Sequence, residues 1–281
     1  MKQKIFFCLI FSISIVSSSI YTKLPCNCGL ERVRSKIVGG EEVLPNNHRW
    51  IAALTDRSLK RVFCGGTLIN NRYVITAAHC FNSLRKSTTR VMLGAHDLGK
   101  LRNATVYYLE KVIIHKKYEP DSIDQKWDLA LIKLDRDVTF TDLVQPICLP
   151  PRNFTKTFDN LMVTGWGALG EVRDQPAKLM EVSVGQRPMD ECKRLLTTTR
   201  ITDDHICAGN STQDSCRGDS GGPLTTVNQG RVFLVGVVSW GMECAHKMYP
   251  GVYSRITSYG LWIWQNSKDA LYCDNMPTQS S

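Results

Sequence analysis

The stretch Asp214-Ser215-Cys216-Arg217-Gly218-Asp219-Ser220-Gly221-Gly222-Pro223 decides how the chain is read. Ser220 is a candidate nucleophile, Gly218 offers an unobstructed backbone N–H to a developing oxyanion, and Asp214 is a carboxylate upstream of both. A serine hydroxyl is a weak nucleophile alone and requires a base, with an acid to orient that base. Both residue types are present. Thr76-Ala77-Ala78-His79-Cys80 carries the histidine and Asp128-Leu129-Ala130-Leu131 the aspartate, in the order His, Asp, Ser.

Outward from that stretch, the chain has 281 residues, 43% hydrophobic and 22% charged, enough for a packed globular core. The amino terminus differs. Lys2 and Lys4 precede an apolar run from Ile5 to Val16, followed by Ser17-Ser18-Ser19. A basic start, a short apolar segment and small residues describe a cleaved secretory signal over residues 1–19. The run is shorter than the roughly 20 apolar residues that a bilayer requires, so a secreted, extracellular protein without a membrane anchor is expected. Secretion permits disulfides. Cys8 leaves with the signal, and ten of the 11 cysteines remain. The formal charge of +9 favours anionic partners without defining a substrate, and no nucleic-acid motif is present.

Short runs rich in β-branched and aromatic residues predict strands near 61–69, 73–77, 106–114, 129–134, 179–184, 231–240 and 252–256. Helical periodicity appears after Thr257 or Ser258, which are read as the cap, through Asn266. Pro188 opens a second, shorter helix candidate that reaches Leu195. An all-β protein with a terminal helix follows. No internal repeat is evident.

The three motif blocks and their order resemble the chymotrypsin-like serine proteases of trypsin-like specificity, over most of the chain from Ile37 to about Asp269. The resemblance implies two six-stranded antiparallel β-barrels with a C-terminal α-helix, and a cleft between barrels. It implies a zymogen with a pro-segment over residues 20–36 and a protease domain from residue 37 to 281. Cleavage after Lys36 would free the amino terminus of Ile37, whose ammonium would pair with Asp219 and order the Gly218 loop. A buried charge persists only when paired.

In that family's terms, Ser220 attacks, His79 moves the proton and Asp128 orients the imidazole. The N–H groups of Gly218 and Ser220 form the oxyanion hole, each such donor being worth about 3–4 kcal/mol. Ser239 is expected to donate to Asp128. Asp214 aligns with the base of the primary pocket, Ser215 adds a hydroxyl near its floor, and Gly241 and Gly251 line its walls. Leaving that carboxylate unpaired would cost about 3–5 kcal/mol, or roughly two to four orders of magnitude in rate. Cleavage after Arg or Lys is therefore expected. Arg217, at the rim, would favour acidic neighbours on the substrate. The other five histidines, His48, His96, His115, His205 and His246, are expected to be core or solvated residues.

The resemblance implies the bridges Cys64–Cys80, Cys192–Cys207 and Cys216–Cys244. Cys148 is expected to pair with Cys28 or Cys26, and the remaining one of these to meet Cys273. Ala95, with Lys100 and Arg102, replaces the acidic start of a calcium loop, and Pro250 stands where sodium-sensitive relatives carry an aromatic residue. No metal and no cofactor are expected. Asn103, Asn153 and Asn210 begin glycosylation sequons. Arg57, Lys60, Arg61, Lys100, Arg102 and Lys111 fall in loops that neighbour each other in that family, so the resemblance implies a basic exosite for an anionic ligand. Other expected partners are protein or peptide substrates, protease inhibitors and an activating protease, acting on a monomer.

Overall fold

The computed structural model describes residues 26–31, 41–45, 47–82, 86–120, 122, 126–155, 157–168, 175–209, 218–241 and 249–273. Among them, strand β1 (Glu41–Glu42) is followed by β2 (Ile51–Thr55), β3 (Val62–Leu68), β4 (Tyr73–Thr76) and β5 (Arg90–Leu93). Then come β6 (Thr105–Tyr107), β7 (Leu109–Ile114) and β8 (Ala130–Leu134). The sheet formed by β2 to β8 is antiparallel, in the order β6-β5-β2-β3-β4-β8-β7. Its two edge strands are one run of chain, separated only by Tyr108, whose N–H turns to Asp135 Oδ1 at 3.0 Å. The sheet thus closes on itself, and the seven strand segments make six passages around a barrel.

The second barrel contains β9 (Leu161–Gly165), β10 (Met180–Val184), β11 (His205–Ala208), β12 (Pro223–Asn228), β13 (Arg231–Trp240) and β14 (Gly251–Arg255). Its order is β1-β10-β9-β12-β13-β14-β11, with the two-residue β1 laid on one side. Closure comes from the chain just after β10. Gln186 bridges Ala208, and the Gly209 N–H reaches Gly185 O at 2.9 Å. Gln229 and Gly230, both at positive φ, make the tight turn between β12 and β13. Two such residues give the turn the twist that a hairpin needs.

Helices α1 (Met189–Leu195) and α2 (Ile256–Ser267) complete the fold. The expected cap at Thr257 or Ser258 is corrected: α2 begins at Ile256 and has Arg255 at its N-cap, without a side-chain cap bond. Strand β14 runs directly into the helix. The Arg255 guanidinium fixes that corner by donating to Asp203 O at 2.9 Å and His205 O at 3.0 Å. Ile256, Tyr259 and Ile263 form the buried stripe of α2 and join the large cluster containing Trp50, Leu68 and Leu131. Burying each such side chain is worth roughly 1.5–3 kcal/mol, which holds the helix from the second barrel against the first.

The tail beyond α2 stays on the first barrel, where Tyr73 Oη donates to Asp269 Oδ1 at 2.7 Å and Leu271 N–H to Asn71 Oδ1 at 2.8 Å. Cys28 pairs with Cys148 and Cys26 with Cys273, resolving the open pairing. Cys64–Cys80 and Cys192–Cys207 are also bridged. Cys216 and Cys244 lie outside the described residues. Among the described residues, no helix is long and apolar enough to cross a membrane.

Candidate active site

His79 follows β4 on a short 3-10 turn, Ala78–Phe81, and Asp128 stands two residues before β8. Strands β4 and β8 pair with Thr76 opposite Ala130, so both residues emerge at the same end of adjacent strands. The His79 backbone N–H donates to Asp128 Oδ1 at 2.9 Å, and Nδ1 lies 2.8 Å from Oδ2. Ser239 Oγ, on β13, donates to the same Oδ2 at 2.5 Å. The Asp128 main-chain oxygen accepts from Ser254 Oγ at 3.1 Å. The carboxylate side chain is 1% exposed while the imidazole is 28% exposed. One group is sealed from water and the other can meet a substrate.

That enclosure has opposing electrostatic effects. Burial pushes the Asp128 carboxyl up, but hydrogen bonds from His79 and Ser239 and the facing imidazole hold it below the ordinary carboxylate range. Burial likewise disfavours imidazolium, yet the Asp128 hydrogen bond and charge overcome it, leaving His79 above its ordinary value. The geometry fixes the Nδ1 proton toward Asp128 and presents Nε2 outward as a base.

Ser220 belongs to the second barrel, just before β12. Its carbonyl accepts the Gly65 N–H of β3 at 2.8 Å, which joins the two barrels at Ser220 itself. Glycine is required on both sides of this contact. A Cβ on Gly65 would sit 2.8 Å from Gly222 Cα, and one on Gly221 (φ +77°) would sit 2.1 Å from Thr76 Oγ1. The Cys80 sulfur of the Cys64–Cys80 bridge lies 3.8 Å from Ser220 O and 4.0 Å from His79 Nε2. Histidine and serine therefore flank one disulfide. Gly221 N–H to Val238 O at 2.8 Å and Val238 N–H to Gly222 O at 3.0 Å tie the serine turn to β13, which carries Ser239.

Gly218 has φ +102°. The Asp219 carboxylate is turned against Gly165 and Gly167 and accepts the Gly167 N–H at 2.8 Å. Gly241 and Gly251 face each other, the nearest atom to a Cβ on Gly241 being Gly251 Cα at 3.9 Å. Asp214, Ser215, Arg217, Lys36, Ile37 and Asn210 lie outside the described residues. Asn103 and Asn153 are exposed.

Among the described residues, one His/Cys/Asp/Glu group could bring ligand atoms together: Cys64, His79 and Cys80. Both sulfurs are consumed in a disulfide and are not available as thiolate ligands. Sequence reasoning did not single out Ser254, because a serine inside a β-branched strand carries no distinguishing signal. It also passed over Gln175, whose Nε2 donates to Val62 O at 2.7 Å beside Gly218.

A family model described as Trypsin matches residues 37–263. The clotting factor G beta subunit of Tachypleus tridentatus is 35% identical over 279 residues, spanning 90% of this chain and 88% of that protein. Serine proteinase stubble of Drosophila melanogaster is 37% identical over 256 residues, 85% of this chain and 32% of the relative. Coagulation factor XI of Bos taurus is 34% identical over 262 residues, 90% of this chain and 41% of the relative. Two closed antiparallel barrels meeting at a serine, a histidine and a buried aspartate agree with these matches, and the chain belongs to the trypsin family of serine proteases.

Proposed function

We propose that the protein is a secreted zymogen which, after cleavage at Lys36, hydrolyses peptide bonds following Arg or Lys. Residues 1–19 act as the signal and 20–36 as the pro-segment. The observation that carries the catalytic assignment is the fully buried Asp128 on His79 Nδ1. It leaves Nε2 as the group that takes the Ser220 proton when Oγ attacks the scissile carbonyl. The same proton is then given to the leaving amine, and an acyl-enzyme is formed. Water repeats the sequence and releases the acid. Gly218 and Ser220 N–H groups receive the oxyanion. Asp214 binds the guanidinium or ammonium tip between Gly241 and Gly251, with Ser215 beside it, and Arg217 favours acidic residues at the rim.

Activation uses the Ile37 ammonium as the partner of Asp219. Two disulfides would keep the pro-segment attached after cleavage, which supports a regulatory or defence role over a digestive one. Two relatives, a clotting factor subunit and a coagulation factor, lie in the same direction. Arg57, Lys60, Arg61, Lys100, Arg102 and Lys111 are all exposed. None forms an ion pair among the described residues, which supports an anionic exosite ligand. Asn103, Asn153 and Asn210 are the proposed glycan sites.

The test is direct. Precursor cut after Lys36 should hydrolyse a small arginine amide and a lysine amide, with little activity on a phenylalanine amide. Ser220→Ala should lose about 10⁶ in kcat. Unchanged turnover in Ser220→Ala would overturn the assignment.

A further inference from the structure

Gly218 is overlain by a side chain from a distant part of the second barrel. A Cβ at Gly218 would lie 2.5 Å from Gln175 Nε2, 3.6 Å from Gln175 Cδ and 3.2 Å from Gly167 Cα. The same Gln175 Nε2 donates to Val62 O at 2.7 Å, at the first residue of β3. Strand β3 also carries Cys64, bridged to the neighbour of His79, and Gly65, bonded to the Ser220 carbonyl. One carboxamide thus spans from the first barrel to the top of the Gly218 peptide.

Glycine is the residue whose backbone is most free to rotate, and at φ +102° its peptide N–H has no Cβ to hold its direction. An oxyanion donor accelerates the reaction only when it is already aimed at the charge that develops. From this contact we propose that Gln175 is a positioning residue for the oxyanion hole. Its carboxamide, anchored on Val62 O, covers Gly218 and keeps the peptide from turning its N–H away. The role needs the length of glutamine and an N–H donor on its tip. It rests on the oxyanion-hole assignment given under Proposed function.

The experiment uses the enzyme cut after Lys36 and two probes. A peptide argininal adds covalently: Ser220 Oγ bonds to the aldehyde carbon, the serine proton passes to His79, and the former carbonyl oxygen enters the hole. Benzamidine fills the cationic pocket alone. Gln175→Glu keeps the length and removes the donor, and Gln175→Ala removes the side chain. Both variants are expected to weaken argininal binding and lower kcat about tenfold, because one of two donors is misaimed rather than deleted. KM and benzamidine binding stay within about twofold. Argininal affinity and kcat both within twofold of wild type overturn the proposal. Equal weakening of argininal and benzamidine also overturns it, since the effect is then on the pocket as a whole. Wild-type enzyme that neither cleaves an arginine amide nor binds either probe defeats the oxyanion-hole assignment, and the proposal with it.

Discussion

Gly167→Ala tests how tightly the oxyanion loop depends on the seat of Asp219. An added Cβ would lie 2.2 Å from Asp219 Oδ2 and 2.3 Å from its Cγ, whereas ordinary contact begins near 3.4 Å. The carboxylate must therefore retreat by roughly an ångström. Oδ1 already fills the space that a Cβ on Gly165 would take, 2.2 Å from that position, so the carboxylate is seated against both glycines. Movement also breaks the 2.8 Å bond from the Gly167 N–H, a charge-assisted bond worth about 1.5–3 kcal/mol. Asp219 is flanked by Gly218 and Ser220, so displacing it turns the peptide that carries the Ser220 N–H and shifts Gly218, the two donors proposed for the oxyanion hole. The expected loss is about 10²–10³ in kcat on an arginine amide, the scale of one oxyanion donor. Gly260→Ala, in α2 where nothing lies within 4 Å, is the control. It should retain activity and gain about 0.5–1 kcal/mol in denaturant unfolding. Full activity in Gly167→Ala, with Asp219 still seated, would refute the reasoning.

Asp128→Asn removes the charge that opposes burial at His79 and offers Nδ1 an amide in place of a carboxylate. A loss of about 10⁴ in kcat is expected, as for a triad aspartate made asparagine. In wild type, activity should fall as pH drops through a His79 value raised above the ordinary imidazole value, because the base is then protonated. With burial unopposed in the variant, the acid limb of kcat/KM should move to lower pH. A limb that stays put would mean that Asp128 does not set the basicity of His79. His48 Nε2 and Glu181 Oε2 lie 2.5 Å apart, both buried, and join the segment before β2 to β10. Glu181→Gln should cost roughly 1.5–3 kcal/mol in denaturant unfolding. A change below about 0.5 kcal/mol would show that the pair is not a structural link.

Much of the architecture was visible in single residues. The β-branched runs marked β3, β4, β8, β10, β13 and β14, and the run over 106–114 covers β6 and β7, which part at Tyr108. The motifs named His79 and Asp128, which hydrogen-bond, and Ser220, whose carbonyl lies beside the Cys64–Cys80 bridge. The strands without a signal were β1, β2, β5, β9, β11 and β12. They are short, β2 contains two alanines, and β12 starts with a proline, so barrel closure rather than local preference makes them strands. The site was less legible where it depends on distant partners. Gln175 reaches Val62 across 113 positions and His48 reaches Glu181 across 133, and neither residue type announces such a contact. Trp127, immediately before Asp128, has φ +56°, a left-handed backbone that a bulky side chain rarely takes and that no local sequence signal marks. Its ring lies parallel to His115, with centroids 6.4 Å apart, a tertiary contact invisible in sequence.

The Cys26–Cys273 bridge makes residues 26–273 a covalent ring, and Cys28–Cys148 is a chord across it. Hydrolysis of any one peptide bond within that ring opens it without releasing a fragment. Nicking at an exposed loop, like the proposed cleavage after Lys36, would then leave the molecule the same size on a non-reducing gel. A single nick would separate into two pieces only after the sulfurs are reduced; before that, its trace is the one water of hydrolysis added to the intact mass.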